Sequence, residues 1–375
     1  MDLVLENPSQ QGRSEKEVES DKNATENNAK EKTMLMLKHR NSNSSTSGSL
    51  TVERKQKCFT IMFKAGDDLR QDQLVLQMIG VMDSMFKNVN LDLNLTLYRV
   101  LATSTSEGMM EFVTDGSAVS KVLAQYGTTR NFFRKHCPWP PRRGKLSDVR
   151  VLSKSESQVP ATTGSHSKDS GLVHRETRNS HMMIGNTSKS GAGAVVAEAQ
   201  RDGIDPSCLS RFIKSCAGYC VISYIIGIGD RHLDNIMIKP TGELFHIDFG
   251  FIFGRDPKAW ATPIRLTKEM IDTMGGRESA GYQRFKSHCC QAFKVLRNNA
   301  SLILNLFHLM KDAGIPDLSV NQDYNTVLLK MKNRFMLDRS DEQAETQLLN
   351  LIDQSADALA PVIYDMFHRA ATAIK

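Results

Sequence analysis

Residues 227–250 read GIGDRHLDNIMIKPTGELFHIDFG, and this stretch decides the fold class. Two short apolar runs, at 236–238 and 244–247, flank a turn at 240–242 that contains Pro and Gly. Apolar runs of this length on both sides of such a turn predict a β-hairpin. The stretch therefore carries two polar segments, one before the hairpin and one directly after it.

The polar residues beside the hairpin are of the types that phosphoryl transfer requires. That reaction depends on positioning and charge neutralisation, so oxygen ligands for Mg²⁺ on short loops are expected. Asn235 and Asp248 are the natural metal ligands, whereas Asp230 and His232 are candidates for accepting or orienting a hydroxyl proton. Arg231 is expected to brace the loop. Each motif alone is a weak signal, but the Asp-Asn loop, one hairpin and Asp-Phe-Gly in this order are typical of kinases.

The rest of the chain predicts an α+β fold with two lobes, and the family resemblance described below implies that they are arranged as in a protein kinase. Strand-like runs dominate the first part, and apolar helices of period three to four dominate the second. The predicted strands are 34–37, 58–63, 93–101 and 109–113. The predicted helices are 74–86, 212–226 and 301–310.

Composition shifts divide the chain into segments. Residues 1–32 are polar and lack apolar periodicity, so we expect a disordered tail. We expect a strand-rich N-lobe at 33–115 and a helical C-lobe at 116–375. A polar tract at about 138–201 is too long for a structureless loop inside a compact domain, so a disordered insertion is expected there.

Charge and cysteine content narrow the class of protein. A net charge of +6 and a pI near 8.8 suit an anionic partner without choosing one. Seven scattered cysteines without paired metal-ligand spacing indicate reduced thiols in the cytoplasm. The N-terminus resembles no secretory signal, and no uninterrupted apolar run approaches the roughly 18 residues of a spanning helix. The sequence therefore predicts a protein that is neither secreted nor integral to a membrane.

These motifs resemble the catalytic domain of the phosphatidylinositol 3-kinase and related lipid kinase superfamily, most closely its class III (vacuolar sorting) branch. Protein kinases have the order His-Arg-Asp in the catalytic loop, whereas this chain has Asp-Arg-His at 230–232, as that superfamily does. Longer strings such as NFFRKHCP, KSCAGYC and LILNLF extend the resemblance from about residue 34 to 375, interrupted by the insertion.

The resemblance implies a set of ATP contacts. Lys64 matches a strand lysine that contacts ATP phosphate, and Asp72 matches an acidic residue of the inner nucleotide pocket. For three of the pocket positions, Tyr98, Phe112 and Ile247, packing in the core is an equal alternative. The full set that the resemblance assigns to nucleotide binding is Lys64, Asp72, Tyr98, Glu111, Phe112, Val113 and Ile247.

The segment 249–266 corresponds to the activation loop, which reads the lipid headgroup in this superfamily. Branches that act on phosphorylated inositol lipids carry a strongly basic loop, because extra phosphates need extra cations. Here the loop has only Arg255, Lys258 and Arg265, against Asp256. The resemblance therefore implies unphosphorylated phosphatidylinositol as the substrate and its 3-phosphate as the product.

The resemblance also implies ATP and Mg²⁺ or Mn²⁺ as cofactors and peripheral contact with membranes that contain phosphatidylinositol. It implies a regulatory protein subunit, a cytoplasmic location on endosomal or autophagic membranes, and no nucleic-acid partner. Two alternatives stay open. One is a protein kinase of the phosphatidylinositol-kinase-related group, and the other is an inactive pseudokinase that acts as a binding module.

Overall fold

The structure is a computed structural model, and it describes residues 35–37, 60–140, 187–257 and 262–358. The predicted N-terminal tail, most of the predicted insertion and Lys258 lie outside the described residues.

The N-lobe is an antiparallel sheet with a long helix packed against it. The strand order is β1-β2-β4-β3, and β2 pairs with β4 so that Ile61 lies opposite Glu111. Gly108 in this sheet has no room for a side chain, because a Cβ atom there would lie 2.8 Å from the Leu101 carbonyl oxygen. The elements are β1 (Leu35–Leu37), β2 (Ile61–Ala65), α1 (Arg70–Asn88), β3 (Val100–Ala102) and β4 (Glu107–Glu111).

Helix α1 confirms the predicted helix at 74–86 and extends it at both ends. Its buried residues recur every three to four positions, as an amphipathic helix requires. Asp72 lies in the first turn, where a negative charge interacts favourably with the helix dipole. In the last turn Lys87 Nζ lies 2.6 Å from Asp83 Oδ2. The first turn faces the C-lobe, because Asp72 Oδ1 accepts a hydrogen bond from Phe249 N.

The C-lobe is mainly helical and carries a small sheet in the order β5-β6-β7. The hairpin predicted from the sequence is confirmed as strands β6 and β7, which pair with Ile236 opposite His246. A π-helical turn at Pro316–Val320 lies between the helices Ala300–Leu309 and Tyr324–Arg334. The elements are β5 (Ser117–Ala118), α2 (Val119–Tyr126), α3 (Thr129–His136), α4 (Thr187–Arg201), α5 (Pro206–Ile226), β6 (Ile236–Ile238), β7 (Leu244–His246), α6 (Lys268–Thr273), α7 (Ala280–Asn298), α8 (Ala300–Leu309), α9 (Tyr324–Arg334) and α10 (Asp341–Asp357).

Helix α5 is the central element of the C-lobe. It begins six residues before the predicted helix at 212–226, because the Asp205 side chain accepts a hydrogen bond from Ser207 N and Pro206 fits the first helical turn. It ends at Gly227, whose φ of 71° is the left-handed conformation common after helices. The helix is long and apolar enough to cross a membrane, but 83% of its 18-residue apolar stretch is buried inside the protein. It is therefore the core helix of the lobe, packed against α7.

Two predictions about local structure were wrong. Residues 187–201, placed in the disordered insertion at about 138–201, form α4, and Val195 and Ala199 of this helix are buried in the core. The strand predicted at 93–101 is limited to β3. The apolar residues before it pack against α5 instead of pairing with a strand: Leu95 lies so close to Gly218 that a Cβ atom there would be 2.6 Å from Leu95 Cδ2.

Candidate active site

Two loops of the candidate site run side by side: one follows α5 and the other follows β7. Gly254 N donates to Gly227 O (2.8 Å), and Gly229 N donates to Phe251 O (2.9 Å). The contact is so close that a Cβ atom on Gly229 would lie 2.3 Å from the Arg255 carbonyl oxygen. Glycine at this position therefore allows the two predicted motifs to form one surface.

Arg231 braces these loops, as the sequence predicts. Its buried guanidinium donates through Nε to Gly229 O (2.8 Å), through Nη1 to Ile247 O (2.7 Å), and through Nη2 to Asp248 O. Burial lowers the pKa of Arg231 from its ordinary value, whereas the nearby Asp248 and Asp230 charges favour the protonated form. Because every named donor is used on backbone oxygen, the residue acts as a structural cation between the loops.

Asp230 and His232 lie next to each other in the first loop. The Nε2 atom of His232 is 3.8 Å from Asp230 Oδ2, and its Nδ1 atom is 3.6 Å from Asp234 Oδ2. Asp230 has a φ of 52°, an uncommon conformation for a residue with a side chain, and its backbone N–H donates to Asp256 Oδ2 (3.0 Å). The loop thus holds an imidazole ring between two carboxylates.

Asn235 and Asp248 are brought to the same end of the hairpin. The buried Asn235 donates from Nδ2 to Asp230 O (3.1 Å), so Oδ1 is the amide atom suited to a cation. Its carbonyl oxygen accepts from Ile247 N (3.2 Å), one residue before Asp248. The Asp248 side chain is exposed, and its backbone has a φ of 61°. One amide oxygen and one carboxylate beside each other are ligands that Mg²⁺ accepts together with phosphate oxygens.

Asp72 connects the N-lobe to the second loop. Its buried Oδ1 atom accepts a hydrogen bond from Phe249 N (3.2 Å). Burial raises the pKa of Asp72 to about 6, while the Phe249 hydrogen bond opposes the rise. Lys64 on β2 lies 3.2 Å from Asp67 Oδ2 and acts on Asp72 through its charge. Lys64 and Asp72, both predicted for the nucleotide pocket, therefore lie close enough for their charges to interact.

Tyr98 lies deep in the same region, packed edge-on against Phe245 with ring centroids 6.4 Å apart. Together with Glu111 it lines a cavity of about 560 Å³. Its hydroxyl is buried, and within the described residues it has no hydrogen-bond partner. A buried hydroxyl of this kind is unfavourable unless a further group reaches it. The residues that line this cavity are mostly apolar and include neither Lys64, Asp72 nor Asp248, so a nucleotide contact by Tyr98 stays a prediction.

The predicted hinge, residues 111–113, begins with the last residue of β4. Glu111 N donates to Arg99 O (2.7 Å), and Phe112 N donates to Thr60 O (2.8 Å). Both amides are thus used within the sheet, so any adenine contact from these two residues falls to their carbonyl oxygens. Phe112, Val113 and Ile247 are all half-buried, and an adenine contact by each of them stays a prediction.

Comparison with known proteins agrees with this geometry. Residues 59–320 match the family described as phosphatidylinositol 3- and 4-kinase. The chain belongs to this family.

Relatives from two plants and a yeast are similar to this chain. It is 42% identical over 311 residues to the phosphatidylinositol 3-kinase root isoform of Glycine max, covering 83% of this chain and 31% of that relative. It is 40% identical over 321 residues to phosphatidylinositol 3-kinase VPS34 of Arabidopsis thaliana, covering 86% and 32%. It is 37% identical over 313 residues to phosphatidylinositol 3-kinase VPS34 of Saccharomyces cerevisiae, covering 84% and 29%. The chain spans about a third of the length of these curated relatives.

The two described cations of the activation loop, Arg255 and Arg265, are placed differently from each other. The Arg255 guanidinium pairs with the buried Asp317 carboxylate and lies 4.8 Å from the centre of the Phe251 ring. Arg265 follows the undescribed part of the loop, and its carbonyl oxygen accepts from Cys220 Sγ (3.5 Å). Headgroup contact by Arg255, Lys258 and Arg265 stays a prediction.

Sequence reasoning missed two residues that support the site. Gln71, next to Asp72 on α1, donates from Nε2 to Phe249 O (2.8 Å) and accepts from Asp317 N (2.8 Å). Asp317 lies in the π-helical turn and is fully buried. Gln71 could have been found by its position beside Asp72. For Asp317 the sequence carries no comparable signal, because it stands 69 positions after Asp248 (317 − 248) and outside every motif.

Proposed function

We propose that this chain is the catalytic region of a lipid kinase, a phosphatidylinositol 3-kinase, which transfers the γ-phosphate of ATP to the 3-hydroxyl of phosphatidylinositol. The observation that carries the proposal is the pair of adjoining loops with Asp230, His232, Asn235 and Asp248, joined to the N-lobe through Asp72 and Phe249. Relatives named phosphatidylinositol 3-kinase, at 37% and 42% identity, support the choice of a lipid over a peptide acceptor.

The proposed phosphate-binding lysine belongs to the N-lobe, and the proposed metal ligands belong to the C-lobe. Lys64 provides a positive charge for the α- and β-phosphates, for which it must exchange its contact with Asp67. Asn235 Oδ1 and the Asp248 carboxylate would hold Mg²⁺ or Mn²⁺. When bound, the metal neutralises the negative charge on the phosphates. Arg231 keeps the two loops in register during turnover because its donors bind their backbones.

Proton transfer is assigned to the first loop. Asp230 or His232, which lie 3.8 Å apart, accepts the proton of the inositol hydroxyl. The hydroxyl oxygen bonds to the γ-phosphorus, and the bond from that phosphorus to the β-phosphate oxygen breaks, which releases ADP. Adenine lies against Glu111, Phe112 and Val113, where backbone groups follow β4. Tyr98 and Ile247 line the inner part of this pocket.

The choice of lipid is assigned to the activation loop. Three cations against one carboxylate in this loop suit an unphosphorylated inositol ring, since each additional phosphate needs further cations. The enzyme acts at the surface of membranes that contain phosphatidylinositol, together with a regulatory protein subunit. Endosomal or autophagic membranes in the cytoplasm are the proposed location.

A substrate panel tests the proposed reaction. Purified protein is incubated with labelled ATP, Mg²⁺ or Mn²⁺, and either phosphatidylinositol vesicles, vesicles with phosphatidylinositol 4,5-bisphosphate at equal surface density, or a peptide mixture. We expect label in phosphatidylinositol and little in the other two. Asp248→Asn serves as the matched control, because it removes a metal-binding oxygen and keeps a polar residue of the same size.

Each contrary result in this panel points to a specific alternative. Label in peptides with none in lipid would indicate the phosphatidylinositol-kinase-related protein kinases. Nucleotide binding without any transfer would indicate a pseudokinase. Equal rates on both lipids would contradict the assignment of lipid choice to the activation loop.

A further inference from the structure

Asp317 is a completely buried carboxylate that lies outside the catalytic motifs. It belongs to the π-helical turn at Pro316–Val320, between α8 and α9, and its exposed fraction is 0%. A buried carboxylate is strongly unfavourable unless hydrogen bonds and an opposite charge compensate for the lost water. The identity of its partners therefore reveals what this residue holds in place.

Two partners of this carboxylate come from the segment that follows Asp248. Ile252 N donates to Asp317 Oδ2 (3.0 Å), and the Arg255 guanidinium pairs with Oδ1. Asn321 Nδ2, from the end of the same turn, also donates to Oδ1 (2.7 Å). Gln71 Nε2 is a fourth donor, 3.4 Å from Oδ2, so two of the four donors belong to the activation loop.

Gln71 connects this carboxylate to the N-lobe. Its amide Nε2 lies 2.8 Å from Phe249 O and 3.4 Å from Asp317 Oδ2, and its Oε1 accepts from Asp317 N (2.8 Å). Asp72, the next residue of α1, accepts from Phe249 N. The residue after Asp248 is therefore held at both its N–H and its carbonyl by consecutive side chains of α1, one of which is bonded to Asp317.

We propose that Asp317 is a positioning residue that holds residues 249–255 against α1, and that Arg255 acts through Asp317 rather than on the lipid headgroup. The proposal rests on the proposed kinase function and identifies what orients Asp248. Arg255 keeps 39% of its side chain exposed, whereas the Asp317 side chain is 0% exposed, so the buried partner determines where the guanidinium lies. Loss of either partner releases the start of the activation loop and misplaces the metal-binding carboxylate.

A headgroup role for Arg255 predicts a different set of rates. If Arg255 bound lipid, its loss would raise the KM for phosphatidylinositol and leave ATP hydrolysis without lipid unchanged. If it positions the loop, its loss lowers kcat in both reactions and leaves both KM values nearly unchanged. Small displacements of catalytic groups lower rates by up to about 100-fold, so the two outcomes are easily separated.

Three variants test the proposal: Asp317→Asn, Arg255→Met and the double variant. For each, kcat and KM are measured with phosphatidylinositol vesicles and with ATP, as is ATP hydrolysis without lipid. We expect Asp317→Asn to lower kcat about 10- to 100-fold in both reactions, with each KM within about threefold of wild type. Asp312→Asn is the matched control, because Asp312 is exposed and lies five residues away on the approach to the same turn.

The double variant separates positioning from loss of folding. Arg255→Met alone leaves a buried carboxylate without its cation, which can destabilise the protein, whereas the double variant removes both charges. We expect the double variant to match Asp317→Asn in kcat and lipid KM, because residues that act as one unit are not additive. Thermal unfolding is recorded for all variants so that rates are compared only between folded proteins.

Two results would overturn the inference. The first is wild-type kcat in folded Asp317→Asn. The second is a lipid KM at least about tenfold higher in the double variant than in Asp317→Asn, which would place Arg255 on the headgroup. Failure of the proposed function looks different: wild-type protein would then label no lipid, while lipid-free ATP hydrolysis would still report on Asp317.

Discussion

The Tyr98 hydroxyl is a group whose role can be tested through both stability and substrate binding. Burial raises its pKa well above the ordinary value, so it is a neutral donor at physiological pH. Within the described residues it is buried without a hydrogen-bond partner. Removal of this hydroxyl therefore breaks no hydrogen bond within the described residues. A nucleotide that binds the hydroxyl would lose one hydrogen bond.

We expect Tyr98→Phe to raise the free energy of unfolding by up to about 1 kcal/mol, because an unsatisfied buried hydroxyl is lost. The KM for ATP should rise by about tenfold, which is the effect of one lost hydrogen bond of about 1.4 kcal/mol. Denaturant unfolding and ATP titration measure the two effects. Tyr126→Phe is the control, because its hydroxyl lies on the surface beside His136. A destabilised Tyr98→Phe protein with an unchanged ATP KM would mean that the hydroxyl serves the fold alone.

His288 on α7 predicts a loss of stability in acid. Burial, with Arg284 and Lys214 nearby, lowers its pKa to about 4, and in the described part of the chain neither ring nitrogen has a hydrogen-bond partner. The unfolded chain takes up this proton near pH 6.5 and the folded protein does not, so stability falls as the pH drops from 6.5 towards 4. At pH 5 the loss is on the order of 1–2 kcal/mol.

Unfolding of wild type and His288→Leu at pH 7.5 and pH 5 isolates this contribution. The variant should lose less stability between the two pH values than wild type, by the same order of 1–2 kcal/mol. Identical pH dependence in the two proteins would show that the imidazole is accessible to water in the folded state.

Helix α4 is part of the fold rather than of an insertion. Val195 and Ala199 are buried, and two carboxylates of the helix and its following turn are in contact with α3: Arg130 lies 3.6 Å from Glu198 and 2.6 Å from Asp202. A glycine in the loop after α6, Gly275, approaches so closely that a Cβ atom there would lie 1.8 Å from Glu198 Oε1. The helix therefore fills a fixed place in the C-lobe.

Two neighbouring valines of α4 provide a matched test. Val195→Ala should lower the free energy of unfolding by about 1–3 kcal/mol, because it removes two buried methyl groups and leaves a cavity. Val196 is 40% exposed, so Val196→Ala should change stability by less than about 0.5 kcal/mol. Denaturant unfolding compares the two. Equal effects would mean that α4 does not dock as the structure has it.

Elements with strong local signals were predictable from the sequence, and elements set by distant contacts were not. The hairpin β6-β7 and helix α1 carry their own turn and periodicity, and both were predicted. Helix α4 follows a tract rich in Gly and Ser and becomes ordered through contacts with α3, α5 and α7. Asp317 gained its role only when folding brought Gln71 and Arg255 to it, so pattern reasoning could not find it.

The proposed site is a junction between the two lobes. The N-lobe contributes Lys64, Asp72 and Tyr98, and the C-lobe contributes the two loops with Asn235 and Asp248. Hydrogen bonds from Phe249 to Asp72 and from Gln71 to Phe249 join these halves directly. Because the chain spans about a third of its curated relatives, the remaining domains of such proteins lie outside the contacts described for this chain.

We infer that this junction transfers phosphate to the 3-hydroxyl of phosphatidylinositol. The most direct test is to identify the isomer formed when the protein, labelled ATP and Mg²⁺ or Mn²⁺ are incubated with phosphatidylinositol vesicles. Deacylation of the product and separation of the glycerophosphoinositol phosphates distinguish the ring positions, with Asp248→Asn as the inactive control. We expect label at the 3-position alone, and none with Asp248→Asn. Label at the 4-position, or equal label from wild type and Asp248→Asn, would contradict it.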